Sequence, residues 1–308
     1  MIYTVTLNPA LDRELTVSEI IENEVLRASR SQVDFGGKGF NVSRMISSLG
    51  GQSVAVGFVG GKCGEMLQDG LIAVGIRTEF VWLPEETRTN VSIVTNGRYI
   101  KVNEAGPALR DSDFRALIAR IESLAKPNDW WVLAGSLPPG APEDAYARIT
   151  AVLKKRKANI FLDSSGKPLA KGSQAGPHWV KPNETELEQI TGETDPIKGA
   201  FAMQYLGVQN VALTLGNKGA FLVSGEQIWR GFPPAIVEKN PIGAGDSFLG
   251  GLVWSLSQDM PQLEAFQWGL ACGAATAEQP GTTVGQYNRV SQLKEQVHVE
   301  EMTLQKKI

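Results

Sequence analysis

The strongest constraint on this sequence is a rhythm. Short apolar runs of strand length occur at Ile2–Leu7, Val54–Val59, Trp130–Ala134, Ile160–Asp163, His178–Val180 and Val211–Leu215. Helix-length patterns lie between or beside them, at Asn41–Leu49, Glu65–Val74, Asp111–Ser123, Pro142–Lys155, Thr185–Thr191 and Ile197–Leu206. Near-continuous apolar runs read as strands buried on both faces. Such strands alternating with helices imply a parallel sheet between two helical layers, a three-layer α/β/α fold. Ligands bind such sheets outside the carboxyl ends of the strands, so the chemistry is expected in the segments that follow the runs.

Two stretches break the rhythm. Arg13–Phe35 and Thr87–Val102 alternate apolar and polar residues without helical period. Val91–Val102 reads as a hairpin turning at Asn96-Gly97. A small β-sheet over residues 11–35 and 87–106 would have the form of a lid that excludes water from a reaction. An ordinary surface hairpin has the same pattern. The main α/β domain is assigned residues 1–10, 36–86 and 107–308, enough chain to bury a large core without staples.

Composition removes several classes. The formal net charge of −3 carries none of the basic excess that nucleic-acid binding requires. The one basic run, Lys154-Lys-Arg-Lys157, ends an expected helix and complements its dipole. Two cysteines, Cys63 and Cys272, make no disulfide framework, and no Cys/His spacing suggests zinc. No apolar run approaches the ~20 residues that span a bilayer, and the N-terminus lacks the charged and apolar regions of a signal peptide. The expected compartment is the cytoplasm, with neither nucleic acid nor membrane as partner.

Chemistry concentrates in a few glycine-rich segments. In Asn240-Pro-Ile-Gly-Ala-Gly-Asp-Ser247 a glycine turn runs straight into an apolar helix. The first N–H groups of a helix lack internal partners and carry the positive end of its dipole, so Gly243, Ala244 and Gly245 can meet an anion. Asp246 can accept a hydroxyl proton as an alcohol attacks phosphorus; it or Ser247 can equally be an N-cap. No Walker A and no dinucleotide fingerprint occurs, and Gly57, Gly60, Gly61 and Gly64 read as turn glycines. In Asp34-Phe-Gly-Gly-Lys-Gly-Phe-Asn41 the backbone of Gly37, the cation of Lys38 and the amide of Asn41 suit sugar hydroxyls. Asn183 and Glu186 have the spacing of a capping box, and also of outer-shell ligands to Mg²⁺. Lys181 precedes them. Thr214, Gly216 and Gly219 lie in a strand–turn–strand segment that a nucleotide could touch. Asp12 follows the first strand, and Arg88 sits in Thr87-Arg-Thr-Asn90, where a guanidinium could bind a phosphate.

Together these segments resemble the ribokinase/PfkB carbohydrate kinase family. Asn240–Ser247 with its helix is similar to the family's C-terminal signature, Phe35–Asn41 to the N-terminal one, and Lys181–Glu186 to its Asn-x-x-Glu motif. Thr6–Asp12, Thr87–Asn90, Gly135-Ser-Leu-Pro-Pro-Gly140 and Asp163-Ser-Ser-Gly166 resemble the branch acting on phosphorylated ketohexoses. The resemblance implies a ribokinase-like fold, ATP and Mg²⁺, and a homodimer joined through the β lid. It implies Asp246 as base, with the amides of Gly243, Ala244 and Gly245 as anion hole. Asp12, Gly37, Lys38 and Asn41 would hold the sugar, and Arg88, Asn90 and Ser136 the sugar and its phosphate. Lys181, Thr214, Gly216 and Gly219 would serve the nucleotide, and Asn183 and Glu186 the metal through water. The expected substrate is fructose 1-phosphate. Tagatose 6-phosphate and fructose 6-phosphate are the alternatives, Asn240-Pro241 resembling tagatose-6-phosphate kinases more. A non-catalytic sugar-phosphate sensor on the same fold is a further one.

Overall fold

The computed structural model of the chain describes residues 1–95 and 98–303; the expected turn at Asn96-Gly97 therefore lies outside the described residues. Among these described residues fourteen strands run in chain order as β1 Ile2–Thr6, β2 Ala10–Thr16, β3 Arg30–Gly36, β4 Ser53–Gly60, β5 Arg77–Leu83, β6 Thr89–Thr95, β7 Arg98–Asn103, β8 Trp130–Ala134, β9 Asn159–Asp163, β10 Trp179–Val180, β11 Asn210–Thr214, β12 Ala220–Ser224, β13 Gln227–Phe232 and β14 His298–Met302. The helices are α1 Lys38–Ser48, α2 Gly61–Ala73, α3 Asp111–Leu124, α4 Ala145–Lys155, α5 Gly166–Gln174, α6 Glu184–Thr191, α7 Pro196–Tyr205, α8 Ala244–Ser257, α9 Gln262–Ala277 and α10 Tyr287–Lys294.

Ten strands form one sheet in the order β14-β13-β12-β11-β10-β9-β8-β1-β4-β5. From β5 to β11 every neighbouring pair is parallel. Alternate residues of the strands feed two main cores, and Ala55 and Val59 of β4 feed a smaller one with Leu67 and Leu71 of α2. Tyr3, Val56, Leu133, Leu162 and Leu213 pack with α3–α7 on one face. Val132, Phe161 and Ala212 pack with α1, α8, α9 and α10 on the other. Burial on both faces is why these strands read as unbroken apolar runs. The chain lays β1, then β4 and β5 to one side, then β8 to β11 to the other. The strand order therefore reverses between β1 and β8, which is where an α/β sheet opens a crevice for ligand.

The second sheet has four strands in the order β3-β2-β6-β7. Its central pair, β2 and β6, is parallel and sets Asp12 beside Asn90; the outer pairs are antiparallel. Its strands come from the two stretches in which the helical rhythm fails.

Three expectations need correction. The glycines of residues 57–64 are not turn residues: Gly57 and Gly60 belong to β4, and Gly61 and Gly64 to α2. Gly57 is there because β1 passes too close for a side chain, a Cβ at this position falling 2.0 Å from the carbonyl oxygen of Thr6. Gly57→Ala is expected to cost about 1–3 kcal/mol through forced backbone movement, read as a lower denaturant midpoint. Helix α1 begins at Lys38 rather than Asn41, because glycines at its start hide the apolar period. That puts Lys38 and Asn41 three residues apart on the same helical face. Helices α9, α5 and α10 have no counterpart among the patterns expected from the sequence. The first is rich in alanine and glycine and buried almost all round, so it shows no amphipathic stripe; the second reads as a loop because of its glycine and proline content.

Candidate active site

The site is built along the carboxyl rim of the parallel strands. Helix α8 starts from Gly243, whose left-handed backbone (φ 82°) turns the chain into the helix, and no side chain caps it. Asp246 is therefore not an N-cap. It lies in the first turn, 9% exposed, and its Oδ2 accepts a hydrogen bond of 2.8 Å from Nδ2 of Asn41. Burial, and then the negative charge of Asp163, push the Asp246 carboxyl up to about 6, against the pull of Lys38, Asn41 and Lys181. A carboxylate with its midpoint near neutrality is suited to take a proton and release it. The Ala244 N–H is committed to the turn, donating to the carbonyl of Pro241 at 3.1 Å. Among the described residues, Gly243, Gly245 and Asp246 have N–H groups with no acceptor. Of the three expected anion-hole amides, Ala244 is thus the one already occupied, and Asp246 adds its own.

Beside Asp246 lies a charge cluster in which Lys38 and Lys181, both expected at the site, meet Asp163, to which the sequence assigned no role. Asp163, at the end of β9, is fully buried, and Lys38 Nζ meets its Oδ1 at 2.9 Å. Lys181 Nζ lies 3.2 Å from Oδ2. Burial would push the Asp163 carboxyl up, but Lys181 and Lys38 outweigh it and hold the group below its ordinary range. Asp163 in turn pushes the Lys38 ammonium above its ordinary value, against the effect of burial. The two cations are held at the rim on either side of one carboxylate. Lys181 also reaches α8: a Cβ built on Gly245 would lie 3.6 Å from its Nζ. The available signal was position, an aspartate closing an otherwise apolar strand.

Beside the start of α8 a cavity of about 600 Å³ is lined by Asn183, Thr214, Gly216, Gly219, Ala244 and Gly245, a volume suited to a small-molecule ligand. Its remaining wall is largely apolar, from Pro233, Ile236, Phe248, Ala274 and Ala277. None of these was singled out from the sequence; the small residues of α9 that let the cavity form are the signal that was there to read. Asn183 and Glu186 form the capping box of α6, each side chain accepting from the other's N–H, at 2.8 and 2.9 Å. That leaves Glu186 Oε1 uncommitted to the cap, 3.9 Å from Lys38 Nζ. The capping and metal readings are therefore compatible. One carboxylate oxygen facing the Lys38 ammonium fits a Mg²⁺ that keeps its water, and the described residues hold no cluster of three or more His, Cys, Asp or Glu that would cage a metal directly.

Between β2 and β6, Asn90 Nδ2 donates to Asp12 Oδ1 at 2.8 Å, and burial pushes the Asp12 carboxyl up while that bond opposes it. The side-chain oxygens of Asn41 and Asn90 are buried without a partner among the described residues, open acceptors for a bound hydroxyl. Gly37 precedes α1 at φ 134°. Ser136 is exposed next to Gly135, whose carbonyl accepts from Tyr146 Oη and Ser164 Oγ, each at 2.9 Å. Arg88 is placed differently from the free fork that the sequence suggested: Nη1 donates to the carbonyl of Glu104 at 2.8 Å, Nη2 to Asn8 at 3.0 Å and Nε to Pro9 at 3.4 Å.

A proton acceptor, unpaired helix amides and a nucleotide-sized cavity meet at one rim, the arrangement of a kinase on a ribokinase-like fold. The family described as "pfkB family carbohydrate kinase" matches residues 6–288, and the chain belongs to that family; it is a sugar kinase, a phosphotransferase. It is 35% identical to 1-phosphofructokinase of Bacillus subtilis strain 168 over 289 residues, covering 92% of this chain and 95% of that one. It is 29% identical to a tagatose-6-phosphate kinase of Staphylococcus epidermidis over 98% of this chain and all of the other. The crystal structure of phosphofructokinase-2 from Escherichia coli in complex with potassium superposes with a TM-score of 0.91 at 29% identity, covering 96% and 98% of the two chains. Among the described residues no helix is long and apolar enough to cross a membrane.

Proposed function

We propose that the chain transfers the γ-phosphoryl group of ATP to a hydroxyl of a ketohexose phosphate, fructose 1-phosphate before tagatose 6-phosphate or fructose 6-phosphate. The observation that carries this reading is the single residue step from Gly245, on the wall of the nucleotide-sized cavity, to Asp246, the buried acceptor. Identity to a 1-phosphofructokinase over most of both chains supports the substrate. Asn240-Pro241 and the likeness to a tagatose-6-phosphate kinase favour the second substrate.

In this reading Asp12, Asn90 and Asn41 orient the sugar, with Gly37 and Ser136 beside it. Asp246 takes the proton of the attacking hydroxyl. The N–H groups of Gly243, Gly245 and Asp246 receive charge on the transferring oxygens, and Lys38 and Lys181 face it from the Asp163 side. Positioning supplies most of the acceleration in a loose phosphoryl transition state. Thr214, Gly216 and Gly219 line the nucleotide's place. Mg²⁺, bound through water near Asn183 and Glu186, would neutralise charge on the ATP phosphates. Arg88 has two N–H groups left for the substrate's own phosphate. Two copies pair through the lid, whose outer strand β7 exposes Tyr99, Ile100 and Val102, an open edge that a second chain would cover. The enzyme works in the cytoplasm, where both substrates are made.

The test is ADP release with MgATP and a panel of fructose 1-phosphate, tagatose 6-phosphate, fructose 6-phosphate, fructose, ribose and adenosine. A phosphoketose should lead in kcat/KM. Turnover of unphosphorylated compounds alone would end the phosphoketose assignment, and ATP binding without turnover would favour a sensor.

A further inference from the structure

We propose that Arg88 and Asn8 form a clamp that sets the lid over the reaction centre, so that Arg88 acts as a positioning residue beyond any contact with the substrate. The inference rests on the kinase reading above and deepens it.

The chain crosses between the two sheets four times: after β1, after β3, before β6 and after β7. Three of these crossings are tied together at one point. From the crossing before β6, the Arg88 guanidinium reaches the carbonyls of Asn8 and Pro9 in the first crossing and of Glu104 in the last. Asn8 Nδ2 donates to the carbonyl of Ala105 at 3.0 Å, joining first to last directly. Two further bonds close the knot: Thr89 N–H to Glu104 Oε2 at 2.8 Å, and Leu11 N–H to the carbonyl of Arg88 at 3.0 Å. The close approach is demanding, since a Cβ at Gly106 (φ 94°) would stand 2.3 Å from Asn8 Oδ1.

An arginine is the side chain able to do this, because its planar head spreads five donors over several acceptors at fixed angles; an ammonium on a flexible stem does not. Asn90 lies two residues beyond Arg88, and Asp12 three beyond Pro9. The clamp therefore stands immediately before the paired side chains that would hold the sugar. A pivot at this place sets the distance from the sugar hydroxyl to Asp246, and a misplacement of about 1 Å costs on the order of 10²-fold in rate.

The discriminating variants are Asn8→Ala and Glu104→Ala, which remove clamp bonds without removing charge from Arg88. Each should lower kcat roughly 10–100-fold, with KM for ATP and for the phosphosugar within about twofold of wild type. Glu104→Gln, which keeps an acceptor for Thr89, should restore the rate. Arg88→Lys should not. Asn8→Ala and Arg88→Met should combine less than additively, as members of one network do. Native-state hydrogen exchange reads the clamp without reference to substrate: the amides of β2 and β6 should lose protection in Asn8→Ala while those of the ten-stranded sheet keep it. Normal kcat in Asn8→Ala and Glu104→Ala with unchanged lid protection overturns the proposal and leaves Arg88 a ligand only. If the wild type turns over no phosphoketose, the functional reading fails, and the exchange experiment still decides the clamp.

Discussion

Asp246→Asn is expected to remove about 10²–10⁴-fold of kcat and, above pH 6, to yield a more stable protein. The two effects have one cause. Burial and the neighbouring Asp163 make the ionised form of Asp246 costly, which is why its carboxyl sits near 6 instead of at its ordinary 3.8. A folded-state value raised above the unfolded one contributes stability that is complete below pH 3.8 and is lost as pH rises through about 6. The loss comes to on the order of 3 kcal/mol. Asparagine is neutral throughout and can still accept the hydrogen bond from Asn41. Wild type and variant should therefore unfold alike near pH 3.5 and diverge above pH 6, with the variant ahead. The same value places the acid limb of wild-type activity near pH 6. Denaturant midpoints at the two pH values, with kcat at pH 8, provide the check. A stability difference that ignores pH, or a variant that keeps its rate, would remove Asp246 from the role of buried base.

Asp163→Ala is the second large effect. Removing the shared partner of Lys38 and Lys181 leaves two cations facing each other. Lys181 is only 7% exposed. Breaking a buried ion pair by deleting one member costs about 3–5 kcal/mol, which calorimetry or chemical unfolding would register. The site is altered as well, because Asp163 is one of the groups that raise Asp246 and the two lysines lower it. With Asp163 gone, the acid limb of activity should move below pH 6 while the maximal rate falls. Should the alanine variant fail to fold, Asp163→Asn keeps the shape and tests the same shift. An acid limb that stays at its wild-type position would sever Asp163 from the base.

What could be read from the sequence divides along physical lines. Runs buried on both faces announce themselves, so the parallel strands and their carboxyl rim were legible. So were the residues whose chemistry is carried by local geometry, such as Asp246 behind its glycine turn and the Asn183–Glu186 cap. Long-range partnerships were not. Asp163 stands 125 residues from Lys38 and meets it only because β9 ends beside the start of α1. Arg88 looked like a free fork because nothing local reveals the carbonyls of Asn8, Pro9 and Glu104 that fill it. Helix α9 was hidden for the opposite reason: uniform burial erases the contrast that makes a helix visible in sequence.

The parallel register also acts as a ruler. Strands β1, β8, β9, β10 and β11 lie side by side, and neighbouring strands are ~4.8 Å apart. Their ends carry, in turn, the crossing to the four-stranded sheet, Gly135, Asp163, Lys181 and Thr214, so four steps cover ~19 Å. The graduations are backbone hydrogen bonds, whose lengths vary by only a few tenths of an ångström. The four-stranded sheet, none of whose described strands pairs with the ten, is not held to that spacing.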